Sequence, residues 1–260
     1  MFNFSVSNPI KSAVIIGHPG HELRIYKFIK TYTPDVYILT DGSGANNKSR
    51  INNSIKFLES LGANYIAELN PIPDKSIYNF ILKNDFSEIN SIKNILKKNV
   101  FEKKYNLILG DALEGFNPTH DLCRYLINSI VKDVVNIDSN FSILNYSFDL
   151  DAAPNKQIDL KENVITLNLM AEELDEKINA GLTYPELQYE VEKALQLFGG
   201  KAFNVERFKK VEDYNIISNW NHSIPQYEIY GKSRVLNGSY KEVIEYEKHM
   251  KPIAKLLLNL

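Results

Sequence analysis

Two of the chain's five histidines, His18 and His21, stand three residues apart in GHPGHE, and a third, His120, sits in the later segment NPTHD. Neutral imidazole nitrogens are good zinc ligands, and three protein ligands leave a fourth position for water, the arrangement that hydrolytic zinc requires. Carboxylates stand nearby in sequence: Asp41 in TDGSG, and Asp111 and Glu114 in DALEGFNPTHD. Groups of this kind could move the protons that hydrolysis needs. Spacing alone leaves a plainer reading open. His18 could be bonded to backbone at a strand end, His21 could open a helix, and His120 could neighbour an N-cap, with Asp41 shaping a turn and Asp111 closing a strand. A phosphate-cradling loop fits less well, because GHPGHE has proline between its glycines and lacks the G-x-G-x-x-G spacing.

The elements that must position these residues are legible in outline. SAVIIGH and VYILTDGSG are β-branched runs ended by proline or glycine, the pattern of buried parallel strands meeting their C-terminal loops. Between them ELRIYKFIKTY has near-helical apolar spacing, so a right-handed parallel crossover is expected. SRINNSIKFLESLGA is expected as a second helix and YIAEL as a strand. Residues 75–104 read as two lysine-rich helices. YNLILGD follows as a strand, HDLCRYLINSIVKDVV as a helix, and FSILNYSF and NVITLNL as strands. About six strands result, giving an α/β, Rossmann-like fold with a mostly parallel sheet and helices on both faces. In such a sheet ligands bind outside the carboxyl ends of the strands, where the three polar loops would lie.

Two charged amphipathic helices follow, the first ended by Gly181 and the second opened by Pro185, and then an aromatic, irregular tail from Val205 to a last helix interrupted at Pro252. The tail concentrates Trp220, Tyr227 and Tyr230 with Glu228 and Arg234, a group that could pack on the sheet or face a sugar. His222 could approach the site from the same stretch. One α/β domain over residues 1–260 is expected, a Rossmann-like core over 1–170 carrying a helical and aromatic extension over 171–260.

Charge and composition narrow the function classes. A formal charge of -2, with 44% hydrophobic and 24% charged residues, gives no general electrostatic reason to bind nucleic acid or anionic membrane. No apolar run approaches the length of a membrane span. The single Cys123, inside a helical pattern, reads as a buried thiol and excludes an intrachain disulfide framework. These features set the expectation of a cytoplasmic protein acting on a small-molecule or glycoconjugate substrate. Nothing in them fixes an oligomeric state.

A strand followed by HPGHE, a strand ending in TDG, an arginine at the head of a helix closing on LG, and a later NPTHD together resemble the PIG-L or LmbE-like N-acetylglucosamine deacetylases. That family carries HPDDE after its first strand and HPDH after a later one. The resemblance covers roughly the first half of the chain. It implies a metal-dependent amidohydrolase, with zinc as the cofactor, that removes an acyl group, acetyl foremost, from an amino sugar or related conjugate. His18, His21 and His120 would then be ligands, Arg50 would face the substrate carbonyl, and Glu22 would orient a ligand. Asp121 and Arg124, flanking His120, would support the metal or contact substrate, or else form a surface ion pair.

The departures from the family pattern bear on mechanism. The family's general base is Gly20 here, its oxyanion histidine is Asn117, and the aspartate of HPDH is Thr119. A histidine, His21, stands where the family has a ligand carboxylate. Three neutral ligands around a dipositive ion would acidify water more strongly. The departing amine still needs a proton, for which Glu114, Asp41 and Asp111 are the candidates. A non-catalytic relative that binds metal or glycan in the same pocket is the alternative, and a metal-free nucleotide-binding protein is more remote.

Overall fold

The computed structural model describes residues 9–44, 47–138, 141–150, 163–218 and 223–260; Trp220 and His222 lie outside them. The strands are β1 (Ser12–Ile16), β2 (Asp35–Ile38), β3 (Asn64–Tyr65), β4 (Leu107–Asp111), β5 (Leu144–Phe148), β6 (Val164–Asn168) and β7 (Val205–Lys210). They form one sheet in the order β3-β2-β1-β4-β5-β7-β6. The first five are parallel, while β7 runs antiparallel to both β5 and β6. The architecture is the expected Rossmann-like one, with seven strands rather than six.

Helices cover both faces: α1 (Tyr26–Tyr32), α2 (Ile51–Ser60), α3 (Asp74–Leu82), α4 (Phe86–Lys103), α5 (Pro118–Ile137), α6 (Ala171–Thr183), α7 (Gln188–Phe198), α8 (Gln226–Leu236) and α9 (Lys251–Leu258). None is long and apolar enough to cross a membrane among the described residues. Strand β1 shows why its sequence folds as it does. Its five residues are all buried, and alternation sends Val14 and Ile16 into one core and Ala13 and Ile15 into the other. A strand at the middle of a two-faced sheet needs this uninterrupted apolar run. Burying each such large aliphatic side chain contributes about 1.5–3 kcal/mol. Helix α5 is buried from Pro118 through Val131 and packs on β4, α4 and α9, so His120 starts a helix that cannot tilt freely.

Several local readings change. YIAEL gives only two strand residues, Asn64 and Tyr65, before a 3-10 turn at Ala67–Leu69. Gly181 lies inside α6, not at its end. A Cβ there would stand 2.9 Å from both Leu23 and Val191, so the glycine allows close packing. Pro185 precedes α7 by three residues, and Pro252 opens α9 rather than interrupting it. The tail holds both β7 and α8. Strand β7 has a charged inward residue: Glu206 is buried against Lys177 at 2.8 Å and accepts the backbone N–H groups of Lys27 and Phe28.

Candidate functional site

The strand order reverses between β1 and β4, and both of those strands deliver site residues at their carboxyl ends. Loops diverge at such a point and leave a crevice. His18 and His21 follow β1. Thr40 and Asp41 follow β2, while Asp111 ends β4 and Glu114 and His120 lie on the loop and helix after it. The three imidazoles meet there. Ring centroids are 5.4 Å apart for His18 and His21, 5.2 Å for His18 and His120, and 4.5 Å for His21 and His120.

Each ring is held through Nδ1 by an oxygen acceptor. His18 Nδ1 lies 2.7 Å from Thr40 Oγ1 and 3.3 Å from Asp74 Oδ1. The Thr40 hydroxyl gives its hydrogen to Gly17 O at 3.0 Å, so it accepts from His18. His21 Nδ1 lies 2.9 Å from Asp111 Oδ1, and His120 Nδ1 lies 2.8 Å from Glu114 Oε1. Carboxylates only accept when ionised, which puts the proton on Nδ1 and leaves Nε2 bare. His18 Nε2 is buried without a hydrogen-bond partner.

The acceptors are themselves pinned. Burial works against ionisation of Asp111, but His21 above all, then His120 and the Gly17 N–H, hold its carboxyl down at about 2. Its Oδ2 accepts that N–H at 2.7 Å, and a Cβ on residue 17 would come within 3.0 Å of this oxygen. The glycine thus permits the approach. Asp74 is likewise held at about 2: burial opposes ionisation, and His18 and the Gly44 N–H outweigh it. Burial, reinforced by neighbouring His21 and His18, pushes His120 well below the usual histidine range. Asp121 Oδ1 accepts the N–H groups of Glu114 and Gly115, each at 3.1 Å, fixing the loop that carries Glu114. Burial raises the Asp121 carboxyl to about 7 despite those two bonds.

The remaining expected residues take other places. Asp41 Oδ1 accepts the Ser43 N–H at 2.9 Å and shapes the turn. Arg50 donates through Nε to Gly42 O at 2.5 Å and flanks Gly44 together with Asp74. Asn117 caps α5, with Oδ1 accepting the Thr119 N–H at 2.8 Å. Glu22 is fully buried and touches no imidazole; it accepts from Gly20 N–H, Ser54 and Tyr184. It therefore shapes the HPGHE loop. Arg124 is no surface pair: buried, it donates to Asp111 O, Asn145 and Tyr146 O, tying β4 to β5. Gly20 has φ +106°, and a Cβ there would meet Leu187 at 3.0 Å, so an aspartate is disfavoured by both backbone and packing. Asp74 is the residue that sequence reading missed. Its signal was weak: a Pro-Asp pair opening a helix, on a segment brought to Thr40 by the Thr40–Ile72 bridge.

No family model matches the chain, and no curated protein matches it in sequence. Solved structures do match. One is the antimicrobial reagent A40926 pseudoaglycone deacetylase Dbv21, with TM-score 0.53 and 15% identity over 80% of this chain and 99% of that one. Another is a triple mutant of a deacetylase involved in the teicoplanin biosynthetic pathway, with TM-score 0.50 and 13% identity over 78% and 99%. The chain has the fold of these deacetylases. At that identity the likeness is one of fold, and chemistry must be argued from the residues.

The deacetylase fold raises the question of whether its pocket suits a metal here. Three imidazoles sharing one tetrahedral zinc, with Zn–N of about 2.0–2.1 Å, place their ring centroids roughly 5 Å apart. The observed spacings bracket that value. Metal-bound histidines characteristically give their other N–H to a carboxylate, the pattern found at His21 and His120, with Thr40 and Asp74 serving His18. Among the described residues no group of three or more His, Cys, Asp or Glu side chains is placed to hold a metal ion. The fit lies in ring spacing, tautomers and an orphaned donor atom.

Proposed function

We propose that this protein is a metal-dependent amidohydrolase, with zinc as the metal, that removes an acyl group, acetyl foremost, from an amino sugar or related glycoconjugate. The observation that carries this reading is that three clustered imidazoles all spend Nδ1 on oxygen acceptors, while His18 Nε2 stays buried and unpartnered. His18, His21 and His120 would hold the ion through Nε2. When bound, a divalent ion supplies Lewis acidity toward water and the amide carbonyl.

The chain's own residues do the rest. Thr40, Asp74, Asp111 and Glu114 keep the Nδ1 protons in place and so fix the rings. Asp111 is fully buried with both oxygens engaged, and Asp41 is committed to its turn. Asp111 is thereby closed to a substrate. Glu114, partly exposed, is ionised while it accepts the His120 N–H; it is the carboxylate assigned to take the proton that the attacking water gives up and to pass it to the departing amine, since an amide anion leaves very poorly. Asn117, whose Oδ1 caps α5, and Arg50, which flanks Gly44 with Asp74, are the residues assigned to the substrate carbonyl.

A second reading, binding of a metal or glycan without turnover, is favoured by Gly20, which stands where the resembled family has its base and whose backbone and Leu187 contact disfavour an aspartate. Metal analysis of protein purified without chelators should find about one zinc or similar ion per chain, lost in His120→Ala; wild type without metal sinks the ligand assignment. Free-amine release from a panel of N-acetylated sugars then separates catalysis from binding. Turnover lost in Glu114→Gln with metal retained supports the proton role. A metal-replete protein inert on the panel supports the binding reading.

A further inference from the structure

Among the described residues no carboxylate pairs with Arg234 on α8. Its guanidinium lies over two rings, 5.8 Å from the centroid of Tyr230 and 5.6 Å from that of Tyr240, which themselves stand 6.4 Å apart. Its Nε is buried with no hydrogen-bond partner. The nearby carboxylate on the same helix, Glu228, is already committed to Lys232 at 2.7 Å and to the Tyr246 N–H at 2.9 Å. Ring faces attract a guanidinium but accept none of its in-plane hydrogen bonds. An arginine beside two aromatic rings keeps its fork of N–H donors for two oxygens of a carboxylate or phosphate.

The group sits at the rim of the histidine pocket. Helix α8 is tied to the Glu114 loop by the Tyr227 N–H donating to Gly115 O at 3.1 Å. Tyr78 lies one turn along α3 from Asp74, within hydrogen-bonding reach of Asn117 and close enough to Tyr230 and Tyr240 to interact with them electrostatically. Phe116, 66% exposed, adjoins the same edge. Aromatic surface and an unpaired cation therefore flank the Asn117 side of the pocket.

We propose that Tyr230, Arg234 and Tyr240 form a subsite for an oxyanion, a phosphate or carboxylate carried by the acylated amino sugar, so that the preferred substrate is an anionic sugar conjugate. The sugar part rests on the deacylase reading; the anion subsite does not. The test is calorimetric titration of the purified full-length chain with N-acetylglucosamine, its 1-phosphate and an N-acetylhexosaminuronate. Wild type should bind an anionic ligand roughly 10- to 100-fold more tightly than the neutral one, and whichever anionic ligand leads identifies phosphate or carboxylate as the source. In Arg234→Gln the anionic-to-neutral ratio should fall toward one. Arg234→Lys, which keeps charge but loses the fork, should fall between, and matching thermal melts show that both variants fold. No preference in wild type, or a ratio unchanged in Arg234→Gln, overturns the subsite. An Arg234-dependent ratio without any acyl release would overturn the deacylase reading and leave the subsite standing.

Discussion

The sharpest handle on the histidine cluster is Asp111→Asn, because it changes donors without changing shape. Asp111 is fully buried, with Oδ2 accepting the Gly17 N–H at 2.7 Å and Oδ1 facing His21 Nδ1 at 2.9 Å. An asparagine must keep its carbonyl oxygen toward Gly17, since the reverse would set two donors against each other. Its NH2 then faces His21 Nδ1, which can receive that bond only by giving up its proton. The proton moves to Nε2, and the nitrogen assigned to metal is blocked. Loss of one carboxylate behind a ligand imidazole typically costs 10- to 100-fold in metal affinity, about 1.4–2.7 kcal/mol. Zinc affinity measured by chelator competition should fall by that factor. Nitrogen-15 correlation spectra of the apo protein should show His21 switching from the Nδ1–H to the Nε2–H tautomer. Unchanged affinity together with a switched tautomer would show that His21 Nε2 is not a ligand, and an unswitched tautomer would refute the hydrogen-bond reasoning itself.

Other perturbations test the surrounding frame. Gly20→Asp should not restore a base but destabilise by about 1–3 kcal/mol in urea denaturation, from φ +106° and the Leu187 contact; Leu187→Ala in the same chain should recover only the packing share. Lys177→Met, which strands the fully buried Glu206, should cost about 3–5 kcal/mol by the same assay, and a loss under 1 kcal/mol would mean that the Lys27 and Phe28 N–H groups satisfy Glu206 without Lys177. Asp35 is pulled below the usual aspartate range: burial opposes ionisation, but Tyr105, Asn64 and Lys103 prevail. Its contribution is therefore full above the unfolded value near pH 4 and lost as pH falls through the lower folded value. Asp35→Asn should lose less stability than wild type between pH 5 and pH 2, and equal losses would contradict the assignment.

The first strands were legible because β1, β2 and β4 are apolar runs stopped by glycine, proline or aspartate, and the loops after them carry the polar residues. The three histidines followed from that placement, since two short motifs at neighbouring strand ends must approach each other. Asp74 was not legible. Its helix lies in a lysine-rich stretch whose periodicity describes an outer face, and only the Thr40–Ile72 bridge carries its first residue to His18. Strand β7 was hidden for a related reason. VERFKK puts a charge inward, and alternation looks polar when a buried glutamate is satisfied by a lysine more than one element away. Glu22 shows the opposite failure: its motif position promised support for a metal ligand, and its carboxylate holds a loop instead.

The position of β7 has a consequence for biosynthesis. Among the described residues strand β6 pairs with β7 alone, and β5 meets β7 across about sixty residues of chain. While the ribosome is still adding residues before Val205, β5 therefore presents an open edge and β6 has no place in the sheet. An unpaired edge invites pairing with other chains. The nascent protein passes through its most aggregation-exposed stage late, after the histidine loops are already made, and substitutions that weaken β7 should reduce soluble yield before they alter the pocket.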